Sequence, residues 1–353
     1  MAELLTTRPT SLNGGPCFTE HVGPNGYVWW YIDALSDDGQ FALTIIAFIG
    51  SVFSPYYASA RRRSGSRGAT AGDHCAINVA LYDKLAPASA GAAPTHGHRW
   101  AMTERAGRHV QIEADLFRVG PSSVSWDGRQ LVIDLDEITL PLPARLRGRV
   151  VVTPRAIWTE SYPLDAAGAH HWRPIAPIAR VSVDMTEPPV HWEGTAYVDS
   201  NHGHAPLEGA FERWDWSRAK PLTEPKGTDV TAENREATRV VYDILRVDGT
   251  TVTLAKAFHV DADGSARTTE FAAPPHLPLP TTSWGIRRAS ACDIGATCAV
   301  VKTVEDTPFY ARSIISSVIG GTPMVGVHES LSLKRFSLRW VQFLLHFKMP
   351  RRR

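Results

Sequence analysis

Hydrophobic and polar residues alternate along most of this chain, as they do in β-strands that turn one face to a core. Between residues 27 and 34, aromatic side chains occupy both alternating sets, so both faces of this strand are expected to be covered. Asp127-Gly128 and Asp248-Gly249 are strong hairpin turn signals between later strands. Many short strands separated by such turns predict an all-β chain built of barrels or sandwiches.

Three segments depart from this alternation. Residues 61–72 are polar, glycine-rich and basic, which is typical of a mobile loop. Residues 335–349 mix apolar and basic positions at near-helical spacing. The most apolar run, 41–53, has thirteen residues, whereas a membrane-spanning helix needs about 20. It is therefore expected to be a buried strand or an interfacial segment.

With 353 residues, the chain is long enough for two domains. The best candidate linker is the proline-containing segment 186–189. We expect a flexible N-terminus at 1–20, a first domain at 21–185 and a second at 190–353. No residue-level internal repeat supports this division.

Composition excludes several function classes. The formal net charge of +1 argues against a nucleic-acid partner, which normally requires a basic excess. The four cysteines form no Cys-x-x-Cys pair and no disulfide framework, so they are expected to be reduced thiols of a cytoplasmic protein. Residues 1–16 lack the apolar core of a signal peptide. The glycine-rich fingerprints of nucleotide binding are missing from the sequence, and no cofactor is expected.

One polar stretch stands out among the strands. Side chains two residues apart share a strand face, and on one face of 194–201 these are Thr195, Tyr197, Asp199 and Asn201. A strand that only closed a core would carry aliphatic residues there. The next extended segment places Trp214 and Trp216 together on one face.

Histidines near this stretch raise the question of a metal. His202 and His204 bracket Gly203 and could face the same way, but a zinc site needs a third ligand, such as Asp199 or His191. Nothing in the spacing selects one, so no metal is predicted. The His170-His171 pair precedes a proline-rich turn and is expected at the surface.

Several long motifs resemble those of the carotenoid 1,2-hydratase family, also called hydroxyneurosporene synthases. They are Tyr-x-Asp-x-Asn-x-Gly at 197–203, Pro-Leu-Glu at 206–208, Trp-x-Trp-Ser-Arg at 214–218, and the segments 23–33, 53–57, 73–79 and 305–313. The likeness runs from about residue 20 to the end of the chain. It implies two tandem lipocalin-like β-barrel domains and cofactor-independent hydration of the terminal 1,2 double bond of an acyclic carotenoid, such as neurosporene or lycopene.

This reaction sets the chemistry that the site must provide. A strong acid protonates the alkene, and water captures the resulting tertiary carbocation. A carboxyl group serves only where burial keeps it protonated, because desolvation disfavours the anion. Three acids compete: Asp199 with Asn201 on its face, Asp33 on an aromatic strand, and Asp306 beside Glu305. The resemblance supports the motif around Asp199, but the residues leave the choice open.

Aromatic faces would stabilise the cation through cation–π attraction. The candidate substrate-binding residues are Tyr197, His202, Trp214, Trp216, Trp29, Tyr31 and Tyr310. Such side chains also occur in ordinary cores.

The expected partners are the carotenoid, water and membrane lipid. Because an acyclic carotenoid is confined to the bilayer, we expect a cytoplasmic protein held peripherally on the inner, photosynthetic membrane. The basic runs 61–63 and 351–353 could contact anionic lipid. Two rival functions stay open: a lipocalin-like carrier of an apolar polyene, and another cation or pericyclic reaction on a terpenoid or polyketide.

Overall fold

A computed structural model describes residues 12–83, 85, 98–222, 237–261 and 263–352. Contacts between Cα atoms divide the described chain into two compact units. Unit 1 contains the residues up to Pro163, Ala167–Ala205 and the residues from His346 onward. Unit 2 contains Leu164–Ala166 and Pro206–Leu345.

Unit 1 is a β-sheet with one helix. Its strands are β1 Tyr27–Ser36, β2 Ala42–Ile49, β3 Cys75–Tyr82, β4 Arg99–Met102, β5 Glu104–Arg105, β6 Val110–Ile112, β7 Leu116–Val119, β8 Ser122–Trp126, β9 Leu131–Ile138, β10 Arg145–Pro154, β11 Tyr162–Pro163, β12 His170–Glu187 and β13 Pro189–Gly203. The helix is α1, Pro55–Ser64.

Unit 2 has a smaller sheet, with short helices before and after it in the chain. Its strands are β14 Phe211–Pro221, β15 Ala237–Arg246, β16 Thr251–Val260, β17 Ala266–Glu270, β18 His276–Leu279, β19 Arg288–Ala291, β20 Ala299–Asp306, β21 Tyr310–Ile319 and β22 Thr322–Ser332. The helices are α2 Leu207–Ala210, α3 Leu333–Phe336 and α4 Arg339–Lys348, and β23 at Arg351–Arg352 returns to the sheet of unit 1.

The strand order of unit 1 is β23-β5-β3-β2-β1-β13-β12-β10-β9-β8-β7-β6, with β4 paired to β3 and β11 to β12. In unit 2 the order is β17-β16-β15-β14-β22-β21-β20, and β18 pairs with β19 separately. The prediction of an all-β chain is confirmed. Two lipocalin-like barrels remain a prediction, because each strand order is an open path among the described residues.

The two faces of β1 have different surroundings. Val28, Trp30 and Ile32 belong to the main hydrophobic core of unit 1, on one face of the sheet. Successive side chains of a strand point to opposite faces, so Tyr31 and Asp33 lie on the other face. All ten residues of β1 are buried, which confirms that both faces of this strand are covered.

The predicted linker has a different role in the structure. Thr186 pairs with Pro189, so the segment 186–189 is the hairpin turn between β12 and β13 within one sheet. The contact pattern instead divides the chain after Ala205. Proline favours both linkers and tight turns, and local sequence does not distinguish the two.

The loop predicted at 61–72 begins inside helix α1, so that part of the prediction is wrong. The Ser54 hydroxyl accepts hydrogen bonds from the backbone N–H groups of Tyr56 and Tyr57, at 3.1 and 3.2 Å. Pro55 follows in the first turn, where its missing N–H costs nothing. The helical spacing predicted at 335–349 is confirmed by α3 and α4. Among the described residues, no helix combines the length and the apolar character that a membrane span requires.

Candidate active site

Asp199 lies in the interior of the large sheet. It pairs with Tyr31 of β1 on one side and with Pro174 of β12 on the other. Directly paired residues of antiparallel strands project to the same face, so this carboxyl faces away from the aliphatic core. Asp199 is only 2% exposed. An acid in such a position is shielded from bulk water.

Two aromatic donors hold the Asp199 carboxyl. The indole Nε1–H of Trp172 and the hydroxyl of Tyr197 each donate a hydrogen bond to Oδ2, both at 2.7 Å. Tyr197 is two residues before Asp199 on β13, and Trp172 reaches it from β12. Both donors therefore converge on the same carboxylate oxygen.

A second polar pair lies where β1, β12 and β13 come together. The Tyr27 hydroxyl and Nδ1 of His170 are hydrogen-bonded at 3.0 Å. Their rings are stacked, with centroids 5.8 Å apart, and His170 is buried. The expectation that His170 is at the surface is therefore wrong, because this residue begins a central strand rather than preceding a surface turn.

Gly203 makes this pair possible. It pairs with Tyr27 on one side and His170 on the other. A Cβ atom here would lie 2.6 Å from His170 Nδ1 and 2.7 Å from Tyr27 Cε1, closer than real Cβ atoms approach other atoms. Only glycine allows both rings to meet across β13.

Aromatic rings surround the carboxyl on this face of unit 1. Tyr31 packs edge-on against Tyr197, with centroids 6.3 Å apart. Trp29 stacks on Tyr27 at 4.9 Å and also lies 6.1 Å from Phe53. The face therefore combines the buried Asp199 carboxyl, a histidine–tyrosine pair and several electron-rich rings.

Comparison with known proteins places this chain among the carotenoid hydratases. The family model described as carotenoid hydratase CrtC matches residues 45–353. The chain belongs to this family. A protein named acyclic carotenoid 1,2-hydratase from Thiocapsa roseopersicina is 46% identical over 96% of this chain and 76% of its own length. Another of that name, from Rubrivivax gelatinosus, is 43% identical over 96% of this chain and 77% of its own length.

A solved structure supports the fold alone. The crystal structure of an AttH protein from Nitrosomonas europaea superposes with a TM-score of 0.51 and 14% identity. The alignment covers 86% of this chain and 91% of that one.

In this member of the family, part of the predicted site is brought together in unit 1. Asn201 pairs with both Trp29 and Trp172, and Asp33 pairs with Tyr197, so all share the face of Asp199. Both Asn201 and Asp33 are buried. His202 is the exception: as the neighbour of Asn201 on the strand it projects to the opposite face, where its ring stacks on His171 at 5.0 Å.

The remaining predicted residues belong to unit 2. Trp214 and Trp216 lie on β14, where each packs edge-on against Tyr242. The ring of Tyr310, on β21, is covered by the guanidinium of Arg312 at 5.3 Å. The two tryptophan rings thus contact Tyr242, and the Tyr310 ring contacts a cation, all within unit 2.

Asp306 also lies in unit 2, at the end of β20. This carboxyl is half-buried, and Oδ2 accepts the backbone N–H of Trp284 at 3.1 Å. Its neighbour Glu305 is paired with Arg312 at 3.4 Å.

Sequence reasoning missed Trp172, Tyr27 and His170 as site residues. The signal for Trp172 was weak, because it lies 27 residues from Asp199 and meets it only through strand pairing. Tyr27 and His170 are 143 residues apart. Gly203 was a usable signal, since a glycine inside a strand marks a close approach of neighbouring groups.

Unit 2 contains another buried acid, Asp215 on β14. Burial raises its pKa from 3.8 to about 6. Ser330 donates a hydrogen bond to Oδ1, and Arg213 binds Oδ2 at 2.9 Å. Since both oxygens are engaged, this carboxyl is arranged as a structural tie between β14 and β22 rather than as a proton donor.

A metal site was not expected. Among the residues described, no three His, Cys, Asp or Glu side chains are grouped as metal ligands would be.

Proposed function

We propose that this chain hydrates the terminal 1,2 double bond of an acyclic carotenoid, such as neurosporene or lycopene, with Asp199 as the proton donor. The relatives named acyclic carotenoid 1,2-hydratase support the reaction and the substrate class. The observation that carries the residue assignment is the buried Asp199 carboxyl with two aromatic donors on Oδ2.

Protonation is the first step. The bond between Oδ1 and its proton breaks, and the π electrons of the substrate form a new C–H bond at C2. Positive charge is left on C1, a tertiary carbon. The negative charge that develops on Asp199 is stabilised by Trp172 and Tyr197, whose donors are already in place before the proton moves.

The carbocation is stabilised by the aromatic face. Trp29, Tyr31 and Tyr197 supply electron-rich rings on the face of the acid, and a cation over such a ring is attracted by about 0.5 to 2 kcal/mol. A buried site also limits access of water to the cation, so one positioned molecule reacts rather than bulk solvent.

Water then attacks C1, and its extra proton must leave. His170 is placed to receive it: when Nδ1–H donates to the Tyr27 hydroxyl, Nε2 is the basic nitrogen of the ring. Asn201 and Asp33, on the same face, are candidates for orienting the water. Proton exchange from His170 back to Asp199 restores the starting state, so the cycle consumes only water.

We also propose that the protein works at a membrane surface from the cytoplasmic side, since its substrate is an apolar lipid-phase molecule. The basic terminal residues support an electrostatic contact with anionic lipid.

One experiment tests the proposed reaction directly. Purified protein is incubated with lycopene dispersed in detergent in ¹⁸O-labelled water. The expected product is a 1-hydroxy carotenoid that carries the label and has lost one double bond. Binding of lycopene without any labelled product would favour a carrier and overturn the proposal.

A further inference from the structure

Helix α4 is apolar on its outward face as well as on its inward face. Val341 and Leu345 are buried on the inward side, together with the polar Gln342. The exposed residues Trp340, Phe343, Leu344 and Phe347 follow the i, i+3, i+4, i+7 spacing of a single helix face. Phe343 and Phe347 are 63% and 61% exposed. A surface helix of a globular protein usually has charged or polar residues there.

The geometry of the helix makes this a continuous face. At about 100° per residue, the four exposed side chains cover an arc of about 100°, and its centre lies about 160° from that of the buried residues. Arg339 and Lys348 flank this arc on its two sides. An apolar stripe bordered by basic residues is the pattern of helices that lie in a lipid–water interface.

The segment that contains α4 is rich in basic residues, two of which, Lys334 and Arg351, are paired with Glu212 and Glu104. The sequence contains no acidic residue after Glu329, and the basic residues beyond it are Lys334, Arg335, Arg339, Lys348, Arg351, Arg352 and Arg353. A surface of this charge matches the anionic headgroups of a bilayer, at about 1 kcal/mol for each basic residue near the surface.

Helix α1 adds to this basic surface. Tyr56 of α1 packs edge-on against His346 of α4 at 4.8 Å, and the Arg351 guanidinium lies 5.9 Å from the Tyr56 ring. Arg62 and Arg63, in the last turn of α1, are exposed. The C-terminal end of α4 therefore contacts the first turn of α1, the helix that carries these two cations.

The same contacts lead toward the candidate site. Phe53 lies three residues before Tyr56, and its ring packs on Trp29 at 6.1 Å. Trp29 in turn pairs with Asn201, two residues from Asp199. The end of α4 thus lies at the same end of the unit 1 sheet as the aromatic residues of the site.

We infer that α4 lies in the interface of an anionic lipid bilayer, with Trp340, Phe343, Leu344 and Phe347 among the acyl chains. Arg339, Lys348, Arg62 and Arg63 contact the headgroups. This inference rests on the proposed function, because an apolar lipid-phase substrate is what makes a bilayer the occupant of the face.

The test compares two double variants with opposite expectations. Phe343→Ser with Phe347→Ser removes apolar area from the α4 face, whereas Leu142→Ser with Ile294→Ser removes exposed apolar residues elsewhere. Binding is measured by cosedimentation with vesicles of phosphatidylcholine containing phosphatidylglycerol. We expect the α4 variant to lose more than about tenfold in partition coefficient, since each exposed phenylalanine has much apolar area to bury. The control variant should bind as the wild type does.

Further measurements test the role of lipid charge and whether a second copy of the chain, rather than a bilayer, covers the α4 face. Vesicles of phosphatidylcholine alone should bind the wild type more weakly, and Arg62→Gln with Arg63→Gln should reduce this preference for anionic lipid. Wild-type binding by the α4 variant would overturn the inference. So would a wild-type dimer that becomes monomeric in the variant while vesicle binding is unchanged, since a second copy would then cover the face.

Activity separates this inference from the proposed function. The α4 variant should hydrate lycopene in detergent at the wild-type rate but lose activity toward lycopene embedded in vesicles. Absence of hydration by the wild type in detergent would count against the proposed function alone. Equal activity of the variant and the wild type on vesicle-embedded lycopene would count against the role of α4 alone. Circular dichroism confirms that each variant is folded.

Discussion

Trp172 donates its indole N–H to Oδ2 of Asp199 at 2.7 Å, from a neighbouring strand and across 27 residues of sequence. Tyr197 donates to the same oxygen from the same strand as the acid. One oxygen of the carboxyl is thereby anchored, and we propose that the other carries the proton. This arrangement leads to the first two predictions.

Asp199→Asn should abolish hydration while leaving folding and substrate binding nearly intact. The amide is almost isosteric, but it cannot protonate a carbon atom. We expect kcat to fall at least as far as the usual contribution of a general acid, about 10² to 10⁴. Product formation from lycopene in detergent measures this. Asp306→Asn is the matched control, and Asp33→Asn tests the rival acid on the same face; if either is inactive while Asp199→Asn works, the acid has been misassigned.

Trp172→Phe should lower kcat by roughly 10- to 100-fold, because a hydrogen bond to a charged group contributes about 1.5 to 3 kcal/mol. The phenyl ring keeps much of the packing but loses the donor that stabilises the carboxylate formed during proton transfer. Tyr197→Phe should act in the same direction. Trp126→Phe, in the aliphatic core on the other face of the sheet, should alter stability without a comparable change in kcat. Unchanged kcat in Trp172→Phe would remove the indole from the chemistry.

Gly203→Ala should destabilise unit 1 and reduce activity together. The added methyl group would overlap both the Tyr27 ring and His170 Nδ1, so the hydrogen bond between them would have to open. Overpacking of a buried position costs about 1 to 3 kcal/mol. Chemical denaturation and activity assays measure the two effects. Gly209→Ala is the matched control, since a Cβ at this position in α2 meets no atom within 4 Å; a comparable loss there would mean that the crowding around Gly203 is not the cause.

Asp215 should make the free energy of unfolding depend on pH. Its pKa in the folded protein is raised to about 6, above the 3.8 of an unperturbed group. Between these values the folded protein keeps a proton that the unfolded chain has released. The stabilisation from this group is therefore present at low pH and is lost as the pH rises through about 6.

The measurement compares urea denaturation of the wild type and Asp215→Asn across this range. The stability of the wild type relative to the variant should fall as the pH rises from about 4 to about 6. Asp127 is the opposite case, since hydrogen bonds from the backbone N–H groups of Gln130 and Arg129 lower its pKa. Relative to Asp127→Asn, wild-type stability should rise with pH through the acid range. A pH-independent difference for Asp215→Asn would show that Asp215 does not titrate in this window.

The sequence predicted which side chains share a face within a single strand. Residues 27–34 were predicted to be covered on both faces, and β1 is buried throughout. Asp199, Tyr197 and Asn201 were predicted to share a face, and the pairing of β13 with β1 agrees. Both inferences depend on the two-residue period of an extended backbone, which is a property of the local chain.

The sequence did not predict which strands pair with one another or where the chain divides into two units. The pairing of β12 with β13 shifts register twice between Pro174 and Ala179, so counting back from the turn does not place Trp172 beside the acid. The proline-rich segment 186–189 was interpreted as a linker and is a hairpin turn. His170 was interpreted as a surface residue because its local sequence resembles a turn, whereas it is buried at the start of β12, where it pairs with Gly203 of β13.

By itself, then, the sequence determined the all-β character, the face of each long strand and, through its motifs, the family. The tertiary structure alone decided which aromatic donors reach Asp199, which histidine is buried beside Tyr27, and which face of α4 is left exposed. The physical reason is that backbone geometry sets a side chain's direction within a few residues. Its neighbours are set by hydrogen bonds between strands that are distant in the sequence, and bulges can shift their register.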